Sequence, residues 1–182
     1  MHSRIYLGKK LLPLDDIHYF LKRANISCKD AFEFMDEHLS DTDSLYYVDS
    51  PYFFSEDFYD HCQANPTTID SKELFPHEKL ADALHRIHMS GNYFVASNRV
   101  TVSDTRKKYH GLQNKDAIDK TNQLYSKKGY YYQLHLFKDK ENKNESQVEI
   151  IISNYKSSKL KPYNQDITEA EVNTIINSDN LQ

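Results

Sequence analysis

Glycine is scarce in this chain: Gly8, Gly91, Gly111 and Gly129 are the four in 182 residues, and no two lie near each other. That scatter excludes the glycine-rich loops that cradle phosphates. Cysteine is scarcer still. Cys28 and Cys62 have no CxxC spacing and no signal peptide upstream, so they read as free, buried thiols in a reducing cytoplasm. No apolar run approaches the ~20 residues that a membrane span requires, which leaves a soluble cytoplasmic protein as the expectation. A nucleophile elbow, a kinase signature and a paired-carboxylate hydrolase arrangement are missing as well.

What the chain has in quantity is aromatic surface. Fourteen Tyr and nine Phe bring aromatics to 13% and hydrophobic residues to 38%, enough for one modest core spanning residues 1–182 as a single domain. The formal net charge of -4 hides an asymmetry. Residues 99–161 carry 14 Lys+Arg against 7 Asp+Glu, a balance of +7, and the remainder carries 9 against 20, or -11. The basic stretch reads either as an electrostatic footprint for phosphates or as a solvated lysine-rich loop. Arg106, Lys107, Lys108, Lys127 and Lys128 are its candidate phosphate contacts.

Periodicity places the elements. Leu12 to Ala24 reads as a helix, with Asp15-Asp16 in its first turn, Lys22-Arg23 in its last, and Ile17, Phe20 and Leu21 on one face. Asn25 to Cys28 is a candidate short strand, and Ala31 to Leu39 a second amphipathic helix. Leu45-Tyr46-Tyr47-Val48 reads as a short buried strand, followed by Asp49-Ser50-Pro51-Tyr52. The aromatic segment from Phe53 to Phe75 shows no clear period. Pro76 opens a helix through Met89, Tyr93 to Ala96 is a strand ending in Ser97-Asn98, and 99–128 reads as a polar insertion with some helix. Tyr130 to Phe137 and Val148 to Ser153 form an antiparallel hairpin, and a last helix follows Thr168 as N-cap. This order indicates an α/β sheet with an antiparallel edge.

Four pieces in order then resemble one family. Asn25-Ile-Ser-Cys-Lys-Asp30-Ala-Phe32, Leu45 through Asp49-Ser50-Pro51-Tyr52, the His77 helix running on to Phe94-Val-Ala-Ser97-Asn98, and Glu149-Ile-Ile-Ile-Ser-Asn154-Tyr155 resemble the C-terminal half of Dam-type DNA N6-adenine methyltransferases. The resemblance covers roughly residues 5 to 155 and implies a partial Rossmann-like sheet with helices on its faces and an antiparallel C-terminal hairpin. It implies methyl transfer from S-adenosylmethionine to a flipped adenine in DNA. It assigns the catalytic segment to Asp49, Ser50, Pro51 and Tyr52, and cofactor contact to Asp30 and Asp49.

The exocyclic amine of adenine is a poor nucleophile because its lone pair is delocalised into the ring. Two acceptors gripping its N–H bonds favour a pyramidal nitrogen with a more available lone pair. The resemblance makes the Asp49 carboxylate one acceptor and the backbone carbonyl of Ser50 the other, with Tyr52 stacked on the base. Ser50 stands where the family usually has proline; the carbonyl is kept and the fixed φ is lost. Asp30 is equally an N-cap for the helix that begins at Ala31.

The family's N-terminal Phe-x-Gly-x-Gly loop has no counterpart. Three accounts are open: a truncated methyltransferase, one half of a split enzyme completed by a second polypeptide, or a nucleic-acid-binding module without catalysis. His85 and His88 sit at i, i+3 with no third or fourth ligand in view, so His77, His85 and His88 read as a surface helix without metal.

Overall fold

The computed structural model describes residues 14–53, 75–102, 112–138 and 146–178. In chain order these form α1 (Leu14–Leu21), α2 (Ala31–Glu37), β1 (Leu45–Asp49), α3 (His77–Met89), β2 (Tyr93–Arg99), α4 (Asn114–Tyr125), β3 (Tyr131–Lys138), β4 (Ser146–Ser153), β5 (Lys161–Pro162) and α5 (Glu169–Ser178). The five strands make one mixed sheet in the order β1-β2-β4-β3-β5. β1 and β2 run parallel, with Asp49 opposite Ser97, and the remaining pairs are antiparallel. The chain is therefore α/β, and its C-terminal hairpin lies with β4 inserted against β2.

Strand alternation sorts the sheet into two unequal faces. On one face Phe94 and Ala96 of β2 and Val148, Ile150 and Ile152 of β4 are buried. α3 covers them with Leu80, Ala83, Leu84 and Ile87, and α4 adds Ala117, Ile118, Leu124 and Tyr125. Each Leu or Ile so buried stabilises the fold by about 1.5–3 kcal/mol. On the opposite face Leu45, Tyr47, Tyr93 and Phe137 are exposed. Helices on both faces were the expectation; among the described residues only the first face is closed over.

β1 is anchored by a buried amide. Asn92 accepts from the Ser44 N–H (3.1 Å) and donates to the Leu39 carbonyl (3.1 Å), tying the end of the α2 turn and the start of β1 to β2. Asn154 does the same at the other neighbour, accepting from Phe94 N–H (2.8 Å) and donating to the Asn92 carbonyl (2.8 Å).

Several expectations are corrected. Leu45–Asp49 is not a buried strand but an edge strand, its alternate residues Leu45 and Tyr47 exposed at 62% and 71%. Asn25 to Cys28 forms no strand; it is irregular and exposed throughout, with Ile26 at 79%, so the Cys28 thiol is free but exposed rather than buried, and Cys62 lies outside the described residues. α1 leaves Tyr19, Phe20 and Leu21 exposed, because no described element covers its apolar face. Within 99–128, read as a polar insertion with some helix, Arg99 ends β2 and the helix is α4, which sends Ala117, Ile118, Thr121, Leu124 and Tyr125 inward. His77 is buried rather than superficial, packed on Phe53 with ring centroids 4.4 Å apart.

Candidate functional site

The carboxyl end of the parallel pair β1–β2 gathers the chemistry-bearing residues. Loops that leave this end of a parallel sheet are where open α/β folds place their ligands. Asp49 closes β1, and its Oδ1 accepts a 2.8 Å hydrogen bond from the Ser97 hydroxyl directly across the ladder. The carboxylate is exposed, and the cleft beside β1 is lined by Ser44 through Val48 and stops short of it.

The next residues turn inward. Ser50 is buried, and its Oγ has no hydrogen-bond partner among the described residues. Pro51 and Tyr52 are half-buried, and Phe53 is in the core. Asn98, one residue past Ser97 and on the other face of β2, fixes this segment. Its buried Oδ1 accepts from the Phe53 N–H at 3.0 Å and from the Arg99 N–H at 2.8 Å. Consecutive residues of one strand thus hold both the Asp49 side chain and the main chain four residues on.

Tyr52 lies beneath a cation, with the Arg99 guanidinium carbon 5.2 Å from its ring centroid. Burial raises the Tyr52 phenol above its ordinary value and the Glu149 carboxylate adds to this, against a hydrogen bond with Ser97 and the charge of Arg99. Glu149 stands opposite Arg99 in the β2–β4 ladder, and His135 opposite Glu149 in the next. The assembled group is therefore Asp49, Ser97, Tyr52, Arg99 and Glu149. It offers two carboxylates and a hydroxyl beside an aromatic ring and a guanidinium.

Asp30 is the N-cap of α2. Its Oδ1 accepts from Phe32 N–H (2.9 Å) and Glu33 N–H (3.2 Å). Its neighbours Lys29 and Ala31 line the same cleft, of about 500 Å³, that runs along β1. The cap and a ligand contact are compatible, since Oδ2 accepts no hydrogen bond among the described residues.

Lys127 and Lys128 do not join this site. They precede β3 at the end of the sheet where β1 and β2 begin, since Tyr131 pairs with Ser153 and Ser153 with Val95. Arg106, Lys107 and Lys108 lie outside the described residues. His85 and His88 have ring centroids 6.3 Å apart, and no group of three or more His, Cys, Asp or Glu able to hold a metal occurs among the described residues. None of the described helices is long and apolar enough to cross a membrane.

Sequence reasoning missed Arg99 and Glu149 as neighbours of Tyr52. A period-2 reading of β2 past Ala96 carries the signal, because Ser97 and Arg99 then share the face of Asp49. No family model, no curated protein and no solved structure matches the chain.

Proposed function

We propose that the chain is the base-binding half of a Dam-type DNA adenine-N6 methyltransferase, working with a second polypeptide that completes the S-adenosylmethionine side. The observation that carries this reading is Asp49-Ser50-Pro51-Tyr52 at the carboxyl end of the parallel pair, with the Asp49 carboxylate held by Ser97 and Tyr52 beside it. The Asp49 carboxylate and the Ser50 carbonyl are the two acceptors for an exocyclic amine, and the Tyr52 ring is the stacking surface for its base. Asn98 makes their spacing rigid by fixing Phe53. Preorganised acceptors of this kind need no reorganisation when the amine arrives.

S-adenosylmethionine supplies the methyl group when bound, but the described glycines do not cradle it: Gly91 follows α3 and Gly129 precedes β3, each in a positive-φ turn. Asp30 and the cleft along β1 are this chain's contribution to that side.

Calorimetry with S-adenosylmethionine, on the chain alone and with a co-expressed neighbouring protein, tests the reading. Heat of binding is expected only with the second polypeptide, together with methyl incorporation into adenine of duplex DNA. Salt-sensitive DNA binding with no cofactor binding under either condition would replace it with a non-catalytic nucleic-acid-binding module.

A further inference from the structure

The two edges of the sheet are unlike. β5, at one edge, is a two-residue strand, Lys161–Pro162, and a short edge carrying lysine and proline resists further pairing. β1, at the other, is Leu45-Tyr46-Tyr47-Val48-Asp49, with no proline, lysine or bulge. No described strand pairs with its outer side.

The outward groups of β1 can be read from its inward ones. The Tyr93 N–H donates to the Ser44 carbonyl at 2.9 Å, and in a parallel ladder alternate residues bond the same neighbour. Ser44, Tyr46 and Val48 therefore direct their main-chain groups at β2, and Leu45, Tyr47 and Asp49 direct theirs outward. Beside that row runs the cleft of about 500 Å³. β1 lines it together with Ser27 and Lys29 and with Ala31, Phe34 and Met35 of α2. Phe34, Leu45 and Tyr47 are its exposed apolar lining.

Charge identifies the chain that fits. Residues 30–49 hold seven carboxylates and no lysine or arginine. Arg86 reaches Asp36 at 2.8 Å and Lys29 reaches Glu37 at 2.7 Å. Glu33, Asp41, Asp43 and Asp49 have no Lys or Arg partner among the described residues. A second copy would bring the same acidic edge: when β1 pairs antiparallel with itself over Leu45–Asp49, Asp49 stands opposite Leu45, with Asp43 of the other copy one diagonal step away. Like charges there oppose self-pairing.

We propose that the outer edge of β1 takes a basic, extended segment of a second polypeptide by strand addition, its apolar side chains meeting Leu45 and Tyr47. This deepens the two-chain reading above by saying where the second chain attaches, and it places that chain beside Asp49.

The test uses the full chain and a fluorescein-labelled peptide of alternating lysine and valine. The peptide is expected to bind, more weakly as salt rises, and to slow amide hydrogen exchange at Leu45, Tyr47 and Asp49 while leaving Tyr46 and Val48 unchanged. N-methylation of alternate peptide residues, or Tyr47→Pro, is expected to weaken binding roughly tenfold or more by removing one or two hydrogen bonds. The N-methylated peptide keeps the test intact if Tyr47→Pro does not fold. Equal binding of the N-methylated peptide, binding without the alternating protection, or no binding at millimolar peptide overturns the proposal. So does the same protection appearing without peptide in a concentration-dependent dimer, which would make a second copy the occupant. Failure of the adenine reading shows separately, as methyl transfer indifferent to Asp49→Ala with the exchange pattern intact.

Discussion

Asp49 and Ser97 stand directly opposite each other across the only parallel pair among the described strands, joined by a 2.8 Å hydrogen bond. Ser97 donates, so one carboxylate oxygen is held in place and the other is left for an incoming N–H. Asp49→Ala is expected to abolish methyl transfer in the completed enzyme. Ser97→Ala is expected to reduce it while leaving a measurable rate, since the acceptor remains and only its orientation is lost. Both side chains lie at the surface end of the strands, so unfolding free energies from urea titration should stay within about 0.5 kcal/mol of the parent. Methyl incorporation measured beside unfolding curves checks the pair. Full activity after Asp49→Ala would remove the proposed role of the carboxylate.

Asn98 carries the opposite balance. It is 1% exposed, and its Oδ1 satisfies two main-chain donors, Phe53 N–H and Arg99 N–H. Asn98→Ala removes the acceptor that the Phe53 and Arg99 N–H groups share, which costs about 1–3 kcal/mol. Urea unfolding is expected to show that loss, and adenine binding is expected to weaken with it because Tyr52 is no longer positioned.

Elements whose period is set by burial on one side were readable in the residues. α3 shows its apolar stripe at Leu80, Ala83, Leu84 and Ile87, and the β3–β4 hairpin alternates as it should. β1 was misread because an apolar run looks alike at the edge and at the centre of a sheet. Only the partner on its far side distinguishes the two, and that is a property of the assembled fold. α4 was hidden by its composition: Asn, Lys, Asp and Gln mask Ala117, Ile118, Thr121 and Leu124, which do fall at helical spacing. The site was legible as far as the tetrapeptide at Asp49. The Ser97 contact depends on register between strands 48 residues apart, which no local pattern encodes.

His88 gives a pH dependence with a definite sign. Burial, with neighbouring His85 adding, lowers its imidazole below the ordinary value of 6.5. The ring packs edge-on to Tyr130 and bonds Asn154 at 3.2 Å. The unfolded chain binds this proton more readily than the folded one, so the contribution is complete above the unfolded value and is lost as pH falls through it toward the folded value. Stability measured by urea titration should therefore decline on acidification below about pH 6.5. His88→Gln is expected to make that decline shallower, and an unchanged slope would remove His88 as its source.

The tyrosine core sets the alkaline limit, and one hydroxyl in it is out of place. Burial pushes the Tyr125, Tyr130 and Tyr163 phenols well above their ordinary value, and Tyr132 up to about 12. Raised values mean full stability below the unfolded value near 10 and its loss as pH climbs past it, so these phenols should ionise together with unfolding. Tyr163 donates to Asn122 Oδ1 at 2.9 Å and Tyr132 to Glu171 at 3.1 Å, whereas the buried Tyr130 hydroxyl finds no partner among the described residues. An unpaired buried hydroxyl costs what a paired one returns. Tyr130→Phe is therefore expected to stabilise the protein by about 1 kcal/mol and to move alkaline unfolding to higher pH, while Tyr163→Phe destabilises by a similar amount. Urea midpoints and tyrosinate absorbance of the two variants decide it; loss of stability in both would mean that the Tyr130 hydroxyl is hydrogen-bonded after all.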